Sequence, residues 1–142
     1  MVDLEACKRL GITVTNIPGY SAPAVAECAL TLALSVSRKV RQNDLLIREG
    51  DWAREPVGQL YGKTLGIIGV GPIGKRMAEL GLAVGMNVMG WTFHPDQEWG
   101  ERTGVTWASI EDVLSTADVV SIHVRLSDQS RELVDAAKLA LM

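Results

Sequence analysis

Six residues, Gly69-Val70-Gly71-Pro72-Ile73-Gly74, follow the pattern Gly-x-Gly-x-x-Gly, whose chemistry is to hold a phosphate with backbone alone. Gly69 suits a tight turn, Gly71 keeps any side chain away from a pyrophosphate, and Gly74 lets a helix lie close on a strand. The amides that open the following helix, Ile73 among them, would face the anion with the positive end of the helix dipole behind them. Pro72 fits the same place, because its missing N–H costs little at a helix start and its fixed φ pre-sets the turn. Glycine is common, so the pattern takes its weight from context. Here it directly follows an apolar run and directly opens a helical one.

A dinucleotide bound in this way meets its next partner at the end of the second strand, about 20 residues past the glycines, where an Asp or Glu takes the ribose 2′-hydroxyl. The chain there reads Trp91-Thr92-Phe93-His94. Thr92 occupies the acidic position and offers only a neutral hydrogen bond. A 2′-phosphate is then not repelled, yet no Arg lies at positions 91 to 95 to attract it; His94 and the more distant Arg102 are the nearby candidates. The residues leave NAD against NADP open.

The elements around the loop alternate. Thr64 to Val70 is a near-continuous apolar run, Ile73 to Val84 a helix with Gly85 past its end, and Asn87 to Trp91 a second strand. Val105 to Trp107 is a short third strand, Ser109 to Ser115 a helix capped by Ser109 with Asp112 at its third position, and Asp118 to Val124 a fourth strand. Such alternation predicts a parallel sheet covered on both faces, a Rossmann-type doubly wound α/β fold represented by its first four strands. Ahead of it, Leu4 to Leu10 reads as a short helix closed by Gly11, and Ile12 to Thr15 as a strand stopped by Asn16-Ile17-Pro18-Gly19. One long helix is expected from Ser21 toward Arg48, followed by a polar connector from Asp51 to Gly62.

A chain of 142 residues, 47% apolar, has material for one ordinary core. Its net charge of -3 argues against a nucleic-acid or anionic-membrane surface. The longest apolar stretch, Ala22 to Val36, contains Pro23 and Glu27 and falls short of the ~20 apolar residues that span a bilayer. Asp3 and Glu5 stand where a signal peptide needs basic residues, and Cys7 and Cys28 form neither a disulfide framework nor a zinc pattern. A reducing, cytoplasmic setting without a metal site is the expectation.

Four segments, V-D-L-E-A-C-K-R-L-G-I-T-V-T-N-I-P-G-Y, A-V-A-E-C-A-L-T-L-A-L-S-V-S-R, G-K-T-L-G-I-I-G-V-G-P-I-G-K-R-M-A and A-D-V-V-S-I-H-V-R-L, stand in an order and spacing that resembles the D-isomer-specific 2-hydroxyacid dehydrogenases. The resemblance implies a nicotinamide enzyme that reduces 2-keto acids or oxidises D-2-hydroxy acids, usually as a homodimer. It divides the chain into a remnant of the substrate domain, residues 1-20, and the N-terminal part of the NAD(P)-binding domain, residues 21-142.

The resemblance also implies that the family's catalytic Arg, acidic residue and His come after the point matching Met142, so that this chain carries no catalytic residue. Arg54-Glu55-Pro56 matches a connector, and His123 the family's strand-end His with a structural role. Arg125 stands where the family usually has a cofactor-contacting Pro, and Ser130 where it has Thr. With strand order 3-2-1-4-5-6, the fourth strand would be left as an edge, and self-association is expected there or through the helix from Ser21 unless Asp135 to Met142 folds over it. Two other readings are a non-catalytic dinucleotide-binding or sensing module and an inactive fragment.

Overall fold

A computed structural model describes residues 2–52 and 56–142. Its centre is β1 (Thr64–Ile68), flanked in parallel by β2 (Asn87–Trp91) and β4 (Val119–Ile122), with β3 (Thr106–Trp107) outside β2. The order β3-β2-β1-β4 is the one expected of a doubly wound sheet. Because β1 has a strand on each side and helices on both faces, Leu65, Ile67 and Ile68 are fully buried. Each contributes about 1.5–3 kcal/mol by leaving water.

The strand period of two sends Leu65 and Ile67 to one face, where they meet Met77 and Ala78 of α4 (Pro72–Ala83) and Ala26 of α2 (Ala22–Ser37). Gly74, Met77, Ala78 and Gly81 form the buried stripe of α4 at helical spacing. Ile68 points to the other face, against Ile110, Val113 and Leu114 of α6 (Ile110–Thr116). That helix starts as expected: the Ser109 hydroxyl accepts the Asp112 amide at 3.0 Å. Beneath α6, Gly66 has no room for a side chain, since a Cβ would stand 2.6 Å from Val113 Cγ1 and 2.8 Å from the Ala117 Cβ. At the opposite end of the sheet from the glycine loop, the Asp118 carboxylate accepts the Thr64 amide at 2.8 Å and Lys63 Nζ at 2.9 Å.

Two expectations are corrected, and one helix is added. The helix from Ser21 is two helices, α2 and α3 (Val40–Arg48), broken at Lys39, whose φ of 51° and ψ of 37° are left-handed. The cause is competition for the carbonyls at the end of α2: the Gly58 amide donates to Ser37 at 2.8 Å, and the Asn43 side chain donates to Arg38 at 3.2 Å. Ile12 to Thr15 forms no strand, because among the described residues no strand pairs with it and Ile12 and Val14 stay exposed. The helix α1 (Leu4–Arg9) before it is present but buries none of its residues. A helix the pattern did not suggest, α5 (Gln97–Thr103), runs from the Asp96 cap to Gly104, whose φ is 81°. The last helix, α7 (Ala136–Leu139), packs against α6, and β3 and β4 are the two edge strands of the sheet among the described residues.

Gly66→Ala tests the fit of α6 on β1. It is expected to cost about 1–3 kcal/mol by overpacking, read as a lower urea midpoint with an unchanged slope.

Candidate functional site

The carboxyl ends of β1, β2 and β4 converge on the glycine loop. Gly69 follows β1 with φ +98°, a conformation open to glycine at little cost, and its amide donates to the Trp91 carbonyl at 2.7 Å. A Cβ there would stand 2.8 Å from the backbone of His123 and Val124, so the turn is pressed between the ends of β2 and β4. Gly74, in the first turn of α4, lies directly on the Gly69 carbonyl with no space for a side chain between them.

Gly71 differs from both. Its φ is -83°, which any residue adopts, and among the described residues nothing lies within 4 Å of where its Cβ would be. Neither strain nor internal packing requires glycine at this position; the open space belongs to whatever approaches from outside. Gly71 and Pro72 line a cleft of roughly 570 Å³ with Ala22, Pro23 and Lys75. Among the described residues no side chain caps α4, and the Lys75 amide takes the Gly71 carbonyl at 2.8 Å. Pro72 has no N–H, which leaves the amides of Ile73 and Gly74 as the donors that open the helix, at its positive end. Such a start accepts an anion.

Thr92 follows β2 directly and is half-buried, with Phe93 edge-on to Trp91 at 4.8 Å and His94 exposed. Sequence reasoning missed the cluster beside it. Lys75 Nζ donates to Asp96 Oδ2 at 2.8 Å and stands 4.9 Å from the centre of the Trp99 ring. Asp96 also caps α5, accepting the Trp99 amide at 3.0 Å. The Lys75 hydrogen bond first, and the Trp99 amide after it, hold the Asp96 carboxyl below its ordinary range, with a smaller contribution from the charge of Arg102. The readable signal was an Asp cap and a closing Gly around Gln97–Thr103.

At the end of β4 the His123 amide donates to Ile68 at 2.7 Å, and its Nε2 is 2.8 Å from Ser121 Oγ. Burial pushes the His123 imidazole below its usual pKa, favouring the neutral ring. Arg125 is exposed, while Ser130 is buried. The Ser130 hydroxyl donates to the Arg125 carbonyl at 2.6 Å and accepts the Ser127 amide at 2.8 Å, so it shapes the loop that carries Arg125. Arg54 and Glu55 lie outside the described residues. Among the described residues there is no cluster of three or more His, Cys, Asp or Glu suited to a metal, and no helix is long and apolar enough to cross a membrane.

The fold and loop have close counterparts among known proteins. Glyoxylate reductase of Aeropyrum pernix is 39% identical over 99% of this chain and 45% of its own length. D-3-phosphoglycerate dehydrogenase of Methanocaldococcus jannaschii is 35% identical over 99% of the chain and 28% of its own. The D-lactate dehydrogenase of Aquifex aeolicus, solved in complex with NAD and lactic acid, superposes with a TM-score of 0.88 at 30% identity, over 99% of this chain and 43% of that one. The chain thus spans less than half the length of these relatives. The family model described as D-isomer specific 2-hydroxyacid dehydrogenase, NAD binding domain, matches residues 30–142. With the parallel sheet and the Gly69 to Gly74 loop in place, the chain belongs to the D-isomer specific 2-hydroxyacid dehydrogenases, in the part that forms their NAD binding domain.

Proposed function

We propose that this chain holds NAD or NADP for an oxidoreductase that acts on the CH–OH group of D-2-hydroxy acids. Residues 21-142 are then the N-terminal part of the NAD(P)-binding domain and residues 1-20 a remnant of the substrate domain. The pyrophosphate lies over Gly71 against the amides of Ile73 and Gly74, with Pro72 fixing the approach and Gly69 the turn. The adenosine ribose lies by Thr92 at the end of β2, and Arg125, on the loop braced by Ser130, borders the adenosine end. When bound, the nicotinamide supplies or accepts a hydride. The residues of this chain bind and orient it.

The observation that carries this reading is Gly71, a glycine that its own fold does not need. The relatives' names support the substrate class: glyoxylate reductase, hydroxypyruvate reductase and D-lactate dehydrogenase all act on small 2-keto or 2-hydroxy acids. A cytoplasmic homodimer is part of the same proposal, with no role for nucleic acid or membrane. Leu32 and Val36 of α2 are 63% and 79% exposed, Ile47 of α3 is 55% exposed, and Ile122 of β4 is 51% exposed. Apolar surface on this scale is what an association surface presents.

Two experiments follow. Because a side chain at Gly71 disturbs nothing inside the fold, Gly71→Asp is expected to keep the thermal midpoint while weakening NAD binding by roughly tenfold or more in titration calorimetry; equal affinities for both proteins overturn the loop assignment. Light scattering after gel filtration is expected to show a mass above that of the monomer, rising with loading concentration, whereas a monomer mass held at the highest loading refutes self-association.

A further inference from the structure

We infer that Asp96, held in place by Lys75, is the residue through which this chain selects NAD over NADP at the adenosine ribose. The inference rests on the dinucleotide reading above and adds a residue that the spacing of the motif alone does not identify. A nucleotide-binding βαβ unit places the adenosine ribose where β2 ends, and the selecting acid about 20 residues past the glycines. Thr92, first after β2, brings no charge. Asp96 stands four residues further along the same loop, at nearly the same interval from Gly74.

Geometry joins this carboxylate to the phosphate loop. Lys75 follows Gly74 directly, lines the same cleft as Gly71 and Pro72, and reaches Asp96 Oδ2 at 2.8 Å. The bond ties the start of α4 to the loop after β2, the two elements that bracket the ribose position. Trp99 fixes the pair from the other side, its amide on Asp96 Oδ1 at 3.0 Å and its ring 4.9 Å from Lys75 Nζ. The pair is fixed without being closed off, since the side chains of Lys75 and Asp96 are 34% and 48% exposed. A carboxylate has about four acceptor positions, so two remain after these bonds to receive the ribose hydroxyls.

A 2′-phosphate meets the opposite situation. It would stand against the Asp96 charge, and Lys75 is already bonded to that carboxylate. Arg102 lies in the last turn of α5 and is exposed; it becomes an effective phosphate partner, together with Lys75, once the Asp96 charge is gone. Capping of α5 alone also accounts for an Asp at this position. Asn separates the two roles, because it caps a helix about as well as Asp and carries no charge.

The test is titration calorimetry of NAD and NADP against the 142-residue chain, its Asp96→Asn and Lys75→Gln variants, and Asp44→Asn on α3 as a charge control. The wild type is expected to bind NAD more tightly than NADP by roughly tenfold, and Asp96→Asn to shift that ratio toward NADP by a similar factor. Lys75→Gln is expected to weaken NAD severalfold without improving NADP, since the carboxylate loses its support and keeps its charge, and Asp44→Asn to leave both constants unmoved. An Asp96→Asn ratio within about twofold of the wild type, or a wild type without preference, overturns the role of Asp96 while leaving the dinucleotide reading intact. Failure of the wild type to bind either dinucleotide overturns both.

Discussion

The contact on which the rest depends is that of Gly74 with the Gly69 carbonyl, where helix and strand turn meet with no side chain between them. A Cβ at Gly74 would lift the start of α4 off the turn, and with it the amides of Ile73 and Gly74. The same approach brings Met77 and Ala78 down onto Leu65 and Ile67, so the core of one sheet face and the position of the helix start are set by one steric condition. On the other face Gly66 plays the equivalent part for α6. The central strand is thus held at van der Waals contact from both sides.

Charge is arranged around this loop and kept out of it. The loop offers neutral amides and the end of a helix dipole, while the nearby charges of Lys75 and Asp96 are paired with each other over Trp99. His123, at the end of β4, is held toward its neutral form by burial. On the proposed reading, an anion at Gly71 would be met by oriented backbone dipoles at the start of α4. Arg125 projects from a loop whose shape is set by the buried Ser130 hydroxyl.

The alternating strands and helices from β1 onward were legible where the signals agree with one another: β2 has the bounds read from its residues, and Ser109 caps α6 as its spacing with Asp112 implied. Such agreement among propensity, pattern and turn chemistry is what makes a segment readable. The break after α2 was not legible, since Lys39 is no usual left-handed residue and the group that takes the Ser37 carbonyl, Gly58, lies on a distant connector. Ile12 to Thr15 has strand-forming residues without a strand to pair with. In the site, the glycines declare their roles by spacing, while the Lys75–Asp96 bond joins residues of two elements and exists only once the sheet has placed them. The hydroxyl of Ser130 was likewise readable as a hydroxyl, and its inward use was not.

Backbone amide NMR of the isotope-labelled chain during titration with NAD tests the central claim most directly, because it reads each amide separately. If the start of α4 cradles the pyrophosphate, the largest shifts fall on Gly69, Val70, Gly71, Ile73, Gly74 and Lys75, with smaller ones at Thr92 and along the end of β4. Shifts confined to the apolar groove between α2 and β4, around Leu32, Val36 and Ile122, with the amides of residues 69 to 75 unmoved, would contradict it.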